Sequence, residues 1–205
     1  MSHDYVLARL LVHNELWAKE ITAKHPHFFK DLAKNQTPKV LWIGCADSRV
    51  PQSVVTASLP GDIFVHRNIA NQFHPADDNA VSALAYAVEH VAVEHILVVG
   101  HTGCGGVKAA QDAAGHEPPA PPETPLDRWL APLVALARAH PGGDLTALVE
   151  ANVRAQVDEV VKSDVVTEAW AKDEPKGLEV HGWVYELETG RLRDLDYGFG
   201  KQGRL

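Results

Sequence analysis

Two apolar runs constrain this chain most, because each is closed by a glycine and followed at once by residues of metal-binding type. Val40-Leu41-Trp42-Ile43 ends at Gly44 and leads into Cys45-Ala46-Asp47-Ser48-Arg49. His95-Ile96-Leu97-Val98-Val99 ends at Gly100 and leads into His101-Thr102-Gly103-Cys104. Short apolar runs bounded by turn residues read as buried strands. Ile63-Phe64-Val65, entered through Pro60-Gly61-Asp62, is a third. A helix capped by Asn79 is predicted over Val81 to Val91, with Leu84 and Ala87 on its inner face. Strands separated by helices predict an α/β fold with a mainly parallel central sheet flanked by helices. In such sheets ligands bind outside the carboxyl ends of the strands, where both motifs then fall.

Residues 1–35 read as an N-terminal helical arm, with Leu7, Leu10, Leu11, Trp17 and Ile21 at helical spacings and an interruption at Pro26. Residues 36–205 form the α/β domain. Within it, the Pro-rich stretch 117–125 marks a surface loop. A helix is expected over Leu126 to Ala139, with Pro132 as a kink or as its true start. Another is expected from Leu145, capped by Asp144, to about Ala171. Two strands, Leu178 to Tyr185 and Leu192 to Tyr197, flank a turn at Thr189-Gly190, and a short polar tail follows. At 205 residues, 45% hydrophobic and 22% charged, the composition is that of a globular chain rather than a disordered one. The formal charge of −8 disfavours nucleic acid as a partner, since binding there rests on phosphate neutralisation. No apolar run approaches the roughly 18 residues of a membrane span. The N-terminus lacks a secretory pattern, and two cysteines are too few for a disulfide scaffold. The expected location is the cytoplasm.

Those two cysteines carry the chemistry. Two thiolates and one imidazole make a good ligand set for zinc, and Cys45, His101 and Cys104 supply it. The fourth position would then be water, Asp47 or a histidine from elsewhere, and three protein ligands plus an exchangeable position is the pattern of a catalytic ion. The competing reading is two buried thiols beside an ordinary histidine.

Cys45-x-Asp47-Ser48-Arg49 followed by His101-x-x-Cys104 resembles the signature of the β-class carbonic anhydrases. The similarity continues through Phe64-Val65-His66-Arg67-Asn68-Ile69-Ala70-Asn71, Gly100-His101-Thr102-Gly103-Cys104-Gly105-Gly106 and His181-Gly182-Trp183-Val184-Tyr185, and it spans about Gln36 to Tyr185. It implies an enzyme that reversibly hydrates carbon dioxide to bicarbonate and a proton by zinc-bound hydroxide, with zinc held by Cys45, His101 and Cys104. Two thiolates cancel the charge of the ion, so bound water should be less acidic than at a three-histidine site, and a nearby acceptor helps to compensate. Asp47 can be that acceptor. Arg49 can grip its carboxylate in a fork, keeping it ionised and off the metal. Asp47 is also a conditional ligand, closing the site when Arg49 releases it. The bland alternative is a surface salt bridge.

The resemblance further suggests Gln36, Phe64 and Tyr86 as substrate-pocket residues, some supplied across a dimer interface. Trp42, Arg67 and Tyr185 correspond to a trio resembling the noncatalytic bicarbonate site of one subset of the family, which predicts bicarbonate inhibition relieved at higher pH. Each also has a structural reading as core or internal pairing. His25, His27 and His66 are candidate proton shuttles that nothing in the sequence separates. The resemblance implies a homodimer or homotetramer, with the arm lying across the partner. Many relatives carry a longer helical C-terminus than the stretch after Tyr197, which bears on tetramer formation more than on catalysis. Two alternatives are a hydrolase of carbon disulfide or a similar small molecule, and a noncatalytic zinc-stabilised scaffold.

Overall fold

The computed structural model describes residues 3–116 and 121–205, so part of the loop expected over 117–125 lies outside the described residues. The chain divides into two compact units, Met1–Gln36 and Thr37–Leu205. In the first, α1 (His3–Lys24) is followed by α2 (Phe28–Leu32). Pro26 separates them, and the Trp17 ring meets Phe29 edge-on at 5.6 Å. Glu15–Lys19 and Glu20–Lys24 pairs support α1 at i,i+4 spacing. Leu7 and Leu11 on α1 are exposed.

The second unit is built on one six-stranded sheet in the order β2-β1-β3-β4-β5-β6. Its strands are β1 (Val40–Cys45), β2 (Ile63–Asn68), β3 (His95–His101), β4 (Glu179–Glu186), β5 (Arg191–Gly200) and β6 (Gly203–Arg204). The first four are parallel, while β5 and β6 are antiparallel additions. β1 is buried from Leu41 to Cys45 because both faces of the sheet are covered. On one face, Leu41, Ile43, Ile96 and Val98 pack with Leu84, Val107, Leu133 and Val153. On the other, Trp42, Leu97 and Val99 pack with Val50, Trp183 and Tyr185.

The chain leaves β1 for β2 on one side and returns to β3 on the other. The short α3 (Gln52–Val55) lies in the first crossover and α4 (Asp78–Ala85) in the second. Right-handed crossovers running in opposite directions place their helices on opposite faces. The gap between the carboxyl ends of β1 and β3 is therefore the topological switch point, where such sheets bind ligands.

Several elements differ from the expectation. The cap of α4 is Asp77, whose carboxylate accepts from the Asn79 N–H at 3.1 Å, because an equally good capping residue stands two positions earlier. The helix then widens into a π turn over Tyr86–His90 instead of continuing regularly to Val91. After α5 (Gly105–Ala114), α6 (Pro125–Ala139) starts at a Thr124/Asp127 capping box and contains Pro132 in its interior. The helix expected to reach Ala171 is two helices, α7 (Leu145–Lys162) and α8 (Asp164–Lys172). Ser163 is extended (ψ 146°) and caps α8 through its hydroxyl. The polar tail is not loose: β5 runs on to Gly200, and Gly203, with φ 114°, turns the chain back as β6.

Candidate metal centre

Cys45 ends β1, His101 ends β3, and Cys104 immediately precedes α5. Gly103 adopts φ 61° in the turn between the last two, a conformation glycine takes at little cost. One ligand atom from each of the three residues lies within 4.8 Å of the others, and all three residues are buried. The two sulfurs are 3.9 Å apart, far beyond a disulfide bond. For a tetrahedral ion with Zn–S bonds of about 2.3 Å, the expected separation is about 3.8 Å. His101 is fully buried. Its Nδ1 lies 2.9 Å from the Thr102 carbonyl, while Nε2 is buried with no hydrogen-bond partner. An Nδ1–H donated to a carbonyl leaves the Nε2 lone pair free for a metal. The donor set and this orphaned nitrogen fit zinc.

The electrostatics support thiolate at Cys45. Its pKa is pulled down, chiefly by the Cys104 thiol, against the effect of burial and with help from His101 and the backbone N–H groups of Asp47 and Ala70. Cys104 is pushed up by the Cys45 sulfur and by burial, with the N–H groups of Val107 and Gly106 opposing. Those two N–H groups belong to the first turn of α5, the favoured end of a helix for negative charge. Burial pushes His101 down, but Cys45, the Thr102 carbonyl and Asp47 together raise it.

Asp47 stands beside this group, with Oδ2 at 3.7 Å from His101 Nε2. Its Oδ1 accepts from the Arg49 backbone N–H and from Nε, both at 2.9 Å, and its Oδ2 accepts from Nη2 at 2.7 Å. These bonds hold the carboxyl well below the usual carboxylate range, outweighing partial burial. Both oxygens thus face Arg49, and Asp47 is not among the three converging ligand residues.

The other residues singled out by sequence fall in different surroundings. Arg67 donates from Nε to the Cys45 carbonyl at 2.7 Å and from Nη2 to the Asp47 carbonyl at 2.6 Å. Trp42 is buried, its Nε1 has no partner, and a Cβ at Gly44 would stand 2.2 Å from that nitrogen. Tyr185 is half-buried in the same apolar cluster as Trp42, and its carbonyl accepts from the Thr102 N–H at 3.0 Å. Phe64 and Tyr86 stack at 5.8 Å, Phe64 half-buried and Tyr86 exposed. Gln36 is the last residue of the N-terminal unit and is exposed. His25 and His27 are exposed, whereas His66 is half-buried within reach of Asn68 Nδ2 at 3.1 Å. Burial lowers its pKa.

Sequence reasoning missed the support beneath the site. Ala70 and Asn71 are both left-handed, with φ 61° and 47°, a costly conformation for residues with a Cβ. A buried amide chain from α7 holds them. Asn152 Nδ2 and Gln72 Nε2 both donate to the Ala70 carbonyl, at 3.0 and 2.8 Å. Asn152 Oδ1 accepts from Gln72 Nε2 at 2.7 Å and from Gln156 Nε2 at 3.1 Å. Gln156 Oε1 accepts from the Phe73 N–H at 2.7 Å. The resulting turn aims the Ala70 N–H at Cys45. Two amides four residues apart among Val149, Val153, Val157 and Val160 were the readable signal.

A parallel sheet whose switch point joins two thiols, a free imidazole nitrogen and an arginine-held carboxylate defines a candidate metal-dependent α/β enzyme. Over residues 40–192 the chain matches the carbonic anhydrase family. A carbonic anhydrase of Emericella nidulans is 37% identical over 213 residues, covering 97% of this chain and 85% of that one. One of two tetrameric beta-carbonic anhydrases from Sordaria macrospora has a TM-score of 0.85 and 35% identity, over 95% of this chain and 98% of that one. The chain belongs to the carbonic anhydrase family, in its β class. A carbon disulfide hydrolase, at a TM-score of 0.52 and 18% identity over 88% of this chain and 90% of that one, shares the fold alone.

Proposed function

We propose that the protein reversibly hydrates carbon dioxide to bicarbonate and a proton, using zinc held by Cys45, His101 and Cys104. The observation that carries this reading is the orphaned His101 Nε2 facing two close sulfurs, with an ionised carboxylate 3.7 Å away. Zinc there would supply the Lewis acidity that makes a nucleophile of water near neutral pH. Asp47 would accept the remaining proton of the attacking oxygen, turning a lone pair toward the carbon of carbon dioxide. Arg49 holds Asp47 ionised and oriented through three hydrogen bonds. Arg67 fixes the backbone on which Asp47 stands. The stacked Phe64 and Tyr86 offer apolar surface of the kind carbon dioxide needs, and family resemblance gives Gln36 a part in holding substrate.

A regulatory reading has one observation in its favour: a buried Trp42 Nε1–H without an acceptor, on the sheet face shared with Tyr185. Bicarbonate binding there would compete for Arg67, which now grips the Cys45 and Asp47 carbonyls. Loss of that grip would free Asp47 to leave Arg49 and become a metal ligand. The Sordaria macrospora relatives are tetrameric, and a homo-oligomer is our reading for this chain, with the apolar stripe of α1 on a partner. No helix among the described residues is long and apolar enough to cross a membrane. We place the enzyme in the cytoplasm, where reducing conditions keep both ligand thiols available.

Stopped-flow carbon dioxide hydration on protein of known zinc content tests the main reading. Activity should rise in proportion to zinc, vanish on chelation and return with zinc. Folded, zinc-replete protein without hydration activity would leave carbon disulfide-type hydrolysis or a structural ion instead.

A further inference from the structure

A second group of metal-ligating side chains lies at the opposite edge of the sheet. His95 opens β3, and Glu179 and His181 lie on β4. Parallel pairing sets His95 opposite Glu179 and Leu97 opposite His181, so all three side chains project from one face of two adjacent strands. They converge on a single carboxylate oxygen: Glu179 Oε2 is 3.4 Å from His95 Nδ1 and 3.2 Å from His181 Nε2. One ligand atom from each residue lies within 4.8 Å of the others.

Those separations match a shared ion. Ligands bonded at about 2.1 Å stand about 3.0 Å apart at a right angle and about 3.4 Å apart at a tetrahedral one. The scaffold is rigid, since two ligands sit on one strand and the third on its hydrogen-bonded neighbour. Gly198, paired with His181 across β5, makes room for the ring: a Cβ there would stand 3.0 Å from His181 Nδ1. All three residues are half-buried, which leaves one side open to water. The adjoining Lys39 is paired with Glu94, and the two imidazoles are the partners of the Glu179 carboxylate, so a cation shared by all three would take the place of a proton between them. His101 lies six steps along β3 from His95, about 20 Å along a strand. An ion here is therefore distinct from one at Cys45, His101 and Cys104.

We propose that His95, Glu179 and His181 form a second metal site, selective for a borderline divalent transition ion such as zinc or nickel, which imidazole and carboxylate ligands suit. The ion would tie β3 to β4 at the amino edge of the sheet and take no part in carbon dioxide chemistry.

The test is equilibrium dialysis against nickel chloride alone of holoenzyme first dialysed free of weakly held zinc to one zinc per chain, with both metals quantified per chain. The expected result is one nickel per chain in addition to retained zinc. That nickel should be lost in His95→Asn and in His181→Asn, and weakened about tenfold or more in the near-isosteric Glu179→Gln. Zinc content should not change in any of the three, which also reports that each variant is folded. Two results would overturn the site: no nickel beyond what exchanges for zinc up to about 1 mM, or extra nickel that all three variants bind as the parent does.

Discussion

Replacing Asn152 with alanine tests whether the buried amide chain sets the chemistry of the site or only fills the core. The side chain makes three hydrogen bonds, to the Ala70 carbonyl and from the amides of Gln72 and Gln156. Gln72 Nε2 keeps the Ala70 carbonyl as a partner, but Gln156 Nε2 is left without one. One orphaned buried donor costs about 1–3 kcal/mol, and the small void left by truncation adds to it. The expected loss is about 2–4 kcal/mol, a large share of the roughly 5–15 kcal/mol that holds a domain folded. For a chain of this size that is a drop in Tm of about 5–15 °C, read at matched zinc and protein concentrations. The sharper expectation concerns the metal. Ala70 and Asn71 lose part of what holds them left-handed, so the Ala70 N–H loses its aim at Cys45. Zinc affinity, measured by competition with a chromophoric chelator, should fall about 10- to 100-fold, as for other groups that orient metal ligands. A variant that loses stability but keeps its zinc affinity would refute the link between the amide chain and Cys45.

Three further outcomes follow from the site. Asp47→Asn should lower kcat/KM for carbon dioxide hydration by about 100-fold or more with zinc content unchanged, as read by stopped flow beside metal analysis. Arg49→Lys keeps the charge and loses the fork, so the Asp47 pKa should move up toward the ordinary carboxylate range. A carboxylate depressed in the folded state contributes stability above its unfolded pKa and loses it as pH falls through its folded value; that contribution should be smaller in the variant and be lost at higher pH, read as an acid-unfolding midpoint above the parent's, and an unmoved midpoint would sever Arg49 from Asp47 ionisation. Trp42→Phe removes one N–H donor while keeping an aromatic ring, and should raise the bicarbonate concentration needed for inhibition about tenfold. Inhibition equal to that of the parent would remove Trp42 from the regulatory reading.

The strands were legible because burial on both faces leaves near-continuous apolar runs, and Val40–Cys45 and His95–His101 are such runs. Cys45, His101 and Cys104 could be grouped from their donor types and from parallel strands delivering carboxyl-end residues to one edge of the sheet, whereas the pairing of β1 with β3 that brings them together is seen only in the sheet order. What was hidden depends on partners distant in sequence. The left-handed turn at Ala70 and Asn71 carries no glycine to announce it, because Asn152 and Gln156, some 80 residues on, hold it in place. Ser163 reads as an ordinary helical serine until its extended backbone and Asp164 mark it as a cap. Asp77 and Asn79 are both good caps, and only geometry chooses between them. The second strand of the terminal hairpin escaped notice because Gly200 and Gly203 blur any alternation.

The placement of the three ligands on β1, β3 and the turn after it dictates when an ion can be captured as the chain folds. His101 and Cys104 are near neighbours and can hold a metal in an unfolded chain, but only by two bonds. Cys45 is 59 residues from Cys104, and closing a loop of that length costs about 4 kcal/mol beyond a constant. That closure is the pairing of β1 with β3, around which the whole sheet is ordered. The complete ligand set therefore exists only once the sheet does, so an ion bound there would act as a late lock on a finished fold rather than as its nucleus. Refolding should proceed at the same rate with and without zinc, while unfolding should slow when zinc is present.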